Sequence, residues 1–438
     1  MKIAFLLHNA YAVGGTVRTT LNLAAALAEH GGHEVEVVSM SRHRESPRFP
    51  IDPRIKLVPL VDTRAGGEDS RHPAYVQPAQ DFPALEKRYK QYALLHDQRV
   101  REYLEERCDG DVVIGTRPGI NVYLARWGPR RALRIGQEHL RHDAHSKKLR
   151  AVLHRHYRSL DALVTMTEAD ARVYRERMPL PGTCVLSVPN IVPPTSVTPS
   201  DGTSKIVAAA GRLVPGKRYD LLLEAFAAVS AQEPDWELRI YGAGVEEHRL
   251  RALIAGLGLR GRARLMGQVA PVEPEFARAS LVVSASGAES FGMTLVEAMR
   301  CGVPVISTDA PLGPAEIITD GADGRLVPVG DARSLAAAML DLIGDEAGRK
   351  AMSAAALDSA HRYDPEPVVA RYEELFRALI TSRRRRAWRR FTDRVANWAR
   401  RKLRSVSGVL PGRGAESAHT PQDLGHAHSQ GGMRARLP

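Results

Sequence analysis

Two glutamates eight positions apart, Glu289 and Glu297, stand on either side of a glycine-bearing turn in the stretch LVVSASGAESFGMTLVEAMRCGVPVIST, residues 281–308. Carboxylates accept hydrogen bonds from hydroxyls and repel phosphate, so the pair suits a polyol. The turn supplies what the carboxylates lack. Gly292, Met293 and Thr294 open a short helix, whose first N–H groups have no intrahelical partners and carry a partial positive charge that favours an anion. A ligand with a phosphate bridge flanked by polyol groups would engage all three features. Arg212 and Lys217, in GRLVPGK at residues 211–217, point the same way. Read singly they are solvated surface cations. Five positions apart, after a strand and around a Pro-Gly turn that leads into a helix, they can reach one phosphate pair.

Those residues need a scaffold, and the surrounding pattern describes one. The apolar run 281–284 and a second at 303–306 read as strands with a loop and short helix between them. In such a unit the loop lies at the carboxyl end of the first strand, where open α/β sheets bind ligands. The same alternation begins at residues 2–7 (strand), with Gly14-Gly15-Thr16, a helical run over 17–29 ended by Gly31-Gly32, and a strand over 34–39. Strands follow at 112–115, 133–136 and 163–167, and helical stretches at 82–107 and 147–160. Residues 42–81 carry no readable pattern. Three prolines follow Asn190 within nine residues, and periodicity disappears over 188–204, which reads as an interdomain linker. Strands at 205–210, 236–241 and 263–266 and helices at 218–230 and 245–257 then restart the alternation. Asp331 is placed to cap a helix through Leu342, and Asp364-Pro365 opens another through Ile380.

Composition narrows the class. A chain of 438 residues with 44% hydrophobic content is long enough for two cores, and two doubly wound domains are expected. Three cysteines without C-x-x-C spacing indicate neither a disulfide framework nor a zinc module and fit a reducing cytosol. The apolar run at 3–7 is short for a signal peptide, and no stretch approaches a membrane span. Eleven Lys or Arg against one acid between Arg383 and Arg404 account for ten of the twelve net positive charges. The charge therefore marks the carboxyl end and gives no chain-wide nucleic-acid surface.

Several separately placed motifs, in order, resemble one known group: the retaining nucleotide-sugar glycosyltransferases of the GT-B fold, family 4. They are Gly14-Gly15, Glu138-His139, Pro189-Asn190, GRLVPGK, YGAG at 241–244, and Glu289-x7-Glu297. The resemblance covers residues 1 to 380. It implies two Rossmann-like domains facing across a cleft, an acceptor-side domain at 1–190, a linker at 191–204 and a donor-binding domain at 205–363. A helix at 364–380 would return to the first domain. It also implies a nucleotide-diphosphate sugar as donor and no cofactor. Arg212 and Lys217 would neutralise the diphosphate, Glu289 would contact the transferred sugar, and Glu297 would hold the ribose. Gly15, Thr16, Gly242, Gly267, Phe291, Gly292, Met293 and Thr294 complete the implied donor site, with Phe291 expected to pack the turn; the region after Leu265-Met266-Gly267 reads as a wall of the base site. His139 matches a position near the reacting centre, where it can donate to a sugar hydroxyl or to leaving-group charge; its alternative is a structural histidine.

Two other patterns invite metal readings. Asp109-Gly110-Asp111 is a D-x-D string, but a turn before the strand at 112–115 accounts for it. His142, Asp143 and His145 match no common zinc spacing. With cations and helix N–H groups available for the diphosphate, metal-independent transfer is expected. Glu289 is the one candidate nucleophile among the motifs, and its implied role on ring hydroxyls favours a front-face route.

Past Ile380, Trp388, Phe391, Val395 and Trp398 recur at helical spacing among arginines, an interfacial amphipathic pattern over 381–404. It would hold a cytoplasmic protein at an anionic inner leaflet and favour a glycan or lipid-linked acceptor; the alternative is a solvated basic arm. Residues 405–438 lack periodicity and are expected to be disordered. Competing functions are a nucleotide-sugar epimerase on the same fold and a non-catalytic nucleotide-sugar-binding scaffold.

Overall fold

A strand that is apolar throughout, as KIAFLL is, belongs in a sheet covered on both faces. In the computed structural model Ile3, Phe5 and Leu7 enter one apolar cluster and Ala4 and Leu6 another, all at most 1% exposed. The structure describes residues 1–383 together with Trp388 and Thr392. Residues 1–383 belong to one compact unit. The basic pattern expected after Arg383 and the tail expected from 405 lie outside the described residues, save Trp388 and Thr392.

The first sheet contains β1 (Lys2–Leu7), β2 (Glu34–Arg42), β3 (Ile55–Asp62), β4 (Val112–Gly115), β5 (Leu133–Glu138), β6 (Ala162–Thr165) and β7 (Cys184–Ser187). All pair in parallel, in the order β3-β2-β1-β4-β5-β6-β7. The second has β8 (Ile206–Ala210), β9 (Glu237–Tyr241), β10 (Ala263–Gly267), β11 (Leu281–Ser284), β12 (Val305–Thr308) and β13 (Gly324–Val327), parallel in the order β10-β9-β8-β11-β12-β13. Strand order reverses between β1 and β4 and again between β8 and β11. A reversal leaves a crevice at the carboxyl ends of the two strands, where ligands of doubly wound sheets sit. The loops after β1, β8 and β11 carry Gly14-Gly15, GRLVPGK and Glu289.

In chain order the helices that bear on the crevices and their surroundings start with α1 (Gly15–Glu29), α2 (Leu94–Glu102) and α3 (Tyr219–Gln232). They are followed by the four-residue α4 (Glu273–Phe276), α5 (Met293–Arg300), α6 (Ala332–Gly344) and α7 (Pro365–Thr381). Asp331 caps α6, accepting from the Ser334 N–H at 3.0 Å. Helix α7 lies on the first domain, where Gln137 donates to the Tyr372 hydroxyl at 2.7 Å. Residues 188–204 hold neither helix nor strand, yet Ile191 and Val192 are 1% exposed.

Two differences from the sequence reading have local causes. Strand β3 contains Pro59, which obscures it in sequence, but β3 is an edge strand, where a missing N–H is tolerated. The single helix expected over 82–107 is instead a loop with a 3-10 turn at Tyr89–Gln91, then α2, then a π turn. The Asp97 carboxylate accepts from the N–H groups of Gln80 and Asp81 at 2.6 and 3.0 Å, which holds that loop against α2.

Candidate active site

The loop after β8 turns through Pro215–Lys217 and enters α3 at Arg218, whose φ is 51°. This geometry sends the Lys217 ammonium to the Glu289 carboxylate, 72 positions away. Ser286 Oγ donates to the same Glu289 oxygen at 2.7 Å. The Glu289 backbone is held too: its N–H donates to Pro311 O at 3.0 Å and its carbonyl accepts from Leu312 N at 2.8 Å. Gly287 N–H donates to Gly216 O at 3.0 Å and joins the two loops. Glu289 is thus fixed in backbone and side chain before any ligand arrives.

Glycines let three motifs meet. A Cβ on Gly242 would stand 1.9 Å from Gly211 O, so no other residue fits without moving the backbone. Gly242 N–H donates to Gly267 O at 2.7 Å. Arg212, between these contacts and Lys217, is exposed, and its side chain makes no hydrogen bond or ion pair among the described residues. Lys217 is paired; Arg212 is available to an anion.

Helix α5 begins at Gly292, where φ is 116°, and its first turn has no acidic residue. Its N–H groups, from Met293 and Thr294 onward, keep their positive end uncompensated. The Phe291 side chain turns inward, 5% exposed and edge-on to Tyr363 at 5.4 Å, so it packs the turn and offers no face to a ligand. Glu297, one turn into α5, is 5% exposed and accepts from Arg18 Nη1 at 2.8 Å. Arg18 Nη2 donates to Glu273 at 2.9 Å. Burial pushes the Glu297 carboxyl up, Arg18 opposes this, and Glu273 adds to it. Arg18 belongs to α1, so the guanidinium crosses from the first domain to the second. Gly15 and Thr16 open that helix, and a Cβ at Gly14 or Gly15 would meet nothing within 4 Å, leaving their backbone facing open space.

The structure therefore joins Lys217 to Glu289, Gly211 to Gly242 and Gly267, and the Gly15 helix to Glu297. It does not join His139 to that group. His139 follows β5, contacts Gln137 Oε1 at 3.3 Å, and forms no hydrogen bond or ion pair with second-domain residues among those described. Burial, with Arg117 adding, lowers its pKa to about 4, so the ring is neutral at physiological pH. Asp109 and Asp111 bind Lys2, through its ammonium and its N–H, at the amino ends of β1 and β4, the edge opposite the crevice. His142 pairs with Asp143 at 3.0 Å and His145 with Glu138 at 3.4 Å; among the described residues no three His, Cys, Asp or Glu side chains are grouped to hold a metal ion.

Arg18, Glu273 and Ser286 went unread in the sequence. Arg18 had a signal, one turn beyond Gly14-Gly15 on the helix that follows them. Glu273 had none, because a four-residue helix has no periodicity to detect.

Residues 196–358 match the family model of glycosyl transferases group 1. That span contains both loops of the second-domain crevice. An exopolysaccharide phosphotransferase of Streptomyces coelicolor is 35% identical over 91% of this chain and 43% of its own length. The chain thus spans less than half of that relative. A phosphatidyl-myo-inositol mannosyltransferase of Mycolicibacterium smegmatis is 26% identical over 86% of this chain and 93% of its own length. The crystal structure of Staphylococcus aureus TarM with fondaparinux, α-GlcNAc-glycerol and UDP superposes with a TM-score of 0.69 at 16% identity, covering 86% of this chain and 99% of TarM. The fold is GT-B, two Rossmann-like domains.

Proposed function

We propose that the chain is a retaining, metal-independent glycosyltransferase that moves a hexose-type sugar from a nucleotide-diphosphate sugar to a hydroxyl of a glycan or lipid-linked acceptor. The observation that carries this reading is the Lys217–Glu289 pair, set beside unpaired Arg212 and the open first turn of α5. The group 1 match over the same loops supports it, as do the glycan-related relatives and the UDP held by TarM.

In the free site Lys217 and Glu289 neutralise one another. A donor diphosphate would take Lys217, Arg212 and the α5 N–H groups, releasing Glu289 to accept from sugar hydroxyls. The ribose would reach Glu297, with Arg18 kept by Glu273. As the anomeric C–O bond breaks, negative charge grows on the leaving phosphate, where two cations and a helix terminus stabilise it. The acceptor oxygen then bonds the anomeric carbon on the same face and passes its proton to that phosphate. Neutral His139 would donate to a sugar hydroxyl. Segment 383–404 would hold the protein on an anionic cytoplasmic leaflet, each arginine near the surface contributing roughly 1 kcal/mol.

The deciding experiment measures binding and slow hydrolysis across a panel of nucleotide-sugars. Donor hydrolysis that yields free sugar and nucleoside diphosphate is expected; no hydrolysis or binding with any member would defeat the proposal. A glycosyl-enzyme trapped on Glu289 and seen by mass spectrometry would replace the front-face route with double displacement. Equal binding to anionic liposomes by the full chain and by a chain ending at Ile380 would remove the membrane role. The name of the Streptomyces relative favours a second reading, transfer of a sugar phosphate. That reaction releases nucleoside monophosphate, so the nucleotide product separates the two.

A further inference from the structure

A cavity of about 770 Å³ opens at the carboxyl edge of the first sheet, on the β1-β2-β3 side of its reversal point. Loops after β1 (His8), β2 (His43) and β3 (Thr63) line it, closed by the excursion from Tyr75 to His96. None of Arg18, His139, Arg212, Lys217, Glu289 and Glu297 lines it. Its lining includes three tyrosines, Tyr75, Tyr89 and Tyr92, and two cations, Arg88 and Lys90, and holds no Asp or Glu.

The charge is uncompensated. Lys90 is exposed and its ammonium has no hydrogen-bond or ion-pair partner among the described residues. The Arg88 guanidinium makes one neutral contact, to Gln91 Oε1 at 3.3 Å. Nearby Arg117, in contrast, is consumed by Glu86. The histidines add no charge: His8 is held by the Tyr92 hydroxyl at 2.9 Å and Gln91 Oε1 at 2.8 Å. Burial first, and Arg117 second, lower its pKa to about 3. What remains is a cleft with aromatic walls and neutral hydrogen-bonding groups, bearing two free cations. Aromatic faces and neutral polar groups suit sugar rings. Two cations without carboxylates suit a phosphate or carboxylate carried on those rings, because a neutral saccharide would desolvate them without return.

We propose that this cavity binds the acceptor and selects an anionic glycan, one bearing phosphodiester or uronate groups, through Arg88 and Lys90. The proposal rests on the glycosyltransferase reading for the word acceptor, whereas the charge selectivity rests on the cavity alone.

The test is calorimetric titration of the full chain, at fixed ionic strength, with a glycerol phosphate oligomer, a uronic-acid oligosaccharide and a neutral gluco-oligosaccharide of equal length. At least one anionic probe is expected to bind about tenfold or more tighter than the neutral one. The preference should disappear in the Arg88→Gln/Lys90→Gln variant and partly in Lys90→Gln alone, while donor hydrolysis is unchanged. Whichever anionic probe wins identifies the group as phosphate or carboxylate. Equal binding of neutral and anionic probes, or anionic binding that the double variant leaves intact, as for adsorption on segment 383–404, would overturn the proposal. Failure of the chain to hydrolyse any nucleotide-sugar would count against the glycosyltransferase reading and leave the selectivity result standing.

Discussion

The carboxyl edges of the two sheets differ in their carboxylates: the second-domain crevice holds Glu289 and Glu297, and the lining of the first-domain cavity holds none. In the second domain, Lys217 faces Glu289 and Glu297 meets a guanidinium from α1, so these partly buried charges are met by opposite ones. In the first, Arg88 and Lys90 stand without carboxylates beside neutral His8 and the tyrosines. Paired charges avoid the cost of a bare buried ion and can exchange partners when a ligand brings both a phosphate and hydroxyls. Unpaired, exposed cations cost little in the free protein and gain only when a ligand brings the missing negative charge. On the proposals made for them, one edge takes a ligand of fixed composition and the other chooses among ligands by charge.

Lys217→Ala is the sharpest way to break that contrast. It removes the proposed diphosphate contact and leaves Glu289 without its cation, so kcat/KM should fall on the order of 10²- to 10³-fold in initial-rate assays. Full activity would mean that the pair is merely structural. Glu297→Ala should weaken nucleotide binding about 10- to 100-fold by titration, through loss of a charged acceptor. Unchanged affinity would remove the ribose role and leave Arg18 with a purely interdomain contact.

A smaller effect is expected at the glycines. Gly242→Ala forces a Cβ to 1.9 Å from Gly211 O and should cost about 1–3 kcal/mol in denaturant unfolding. Gly15→Ala meets open space and should leave stability unaltered. Equal behaviour of the two would show that the second-domain loops are looser than their contacts indicate.

The least effect concerns the first-domain edge and its neutral histidines. His96 is 2% exposed, accepts from the Ala93 N–H on Nδ1 at 3.1 Å and faces Ser41 Oγ from Nε2 at 3.1 Å; burial lowers its pKa to about 4. The unfolded chain therefore binds a proton below about pH 6.5 that the folded chain refuses until about pH 4. Stability should fall as pH drops through that window, by up to about 1.4 kcal/mol per pH unit from this group. Urea midpoints from pH 7 to 5 should show a shallower fall in His96→Gln; identical slopes would place the acid sensitivity elsewhere.

Much of the scaffold was legible because its signals are local. Buried parallel strands are continuous apolar runs, and β1, β4 and β11 follow theirs closely. Helices follow caps and glycine stops, as α1 and α6 do. The placement of the second-domain loops was legible too, since Arg212 with Lys217, and Glu289 with Glu297, each fall within a single strand-loop-helix unit whose turn and helix start are local signals. Strand β3 was hidden because Pro59 argues against a strand until its edge position is known. The loop before α2 reads as helix in sequence, but its backbone hydrogen bonds close three-residue turns, as Glu86 N–H to Pro83 O and Tyr89 N–H to Glu86 O do, and do not run to the residue four back.

The sequence by itself determined two doubly wound halves, the glycine turns at their crevices and the identity of the charges placed there. Only the tertiary structure decided which charges meet. Arg18 reaches Glu297 across 279 positions and Lys217 reaches Glu289 across 72, distances over which no periodicity or spacing carries information. The same holds for the first-domain cavity, whose lining comes from three strand ends and a distant excursion. Local pattern reports what each segment becomes, and partner choice is settled where the ends of separate strands are brought to one edge of a sheet.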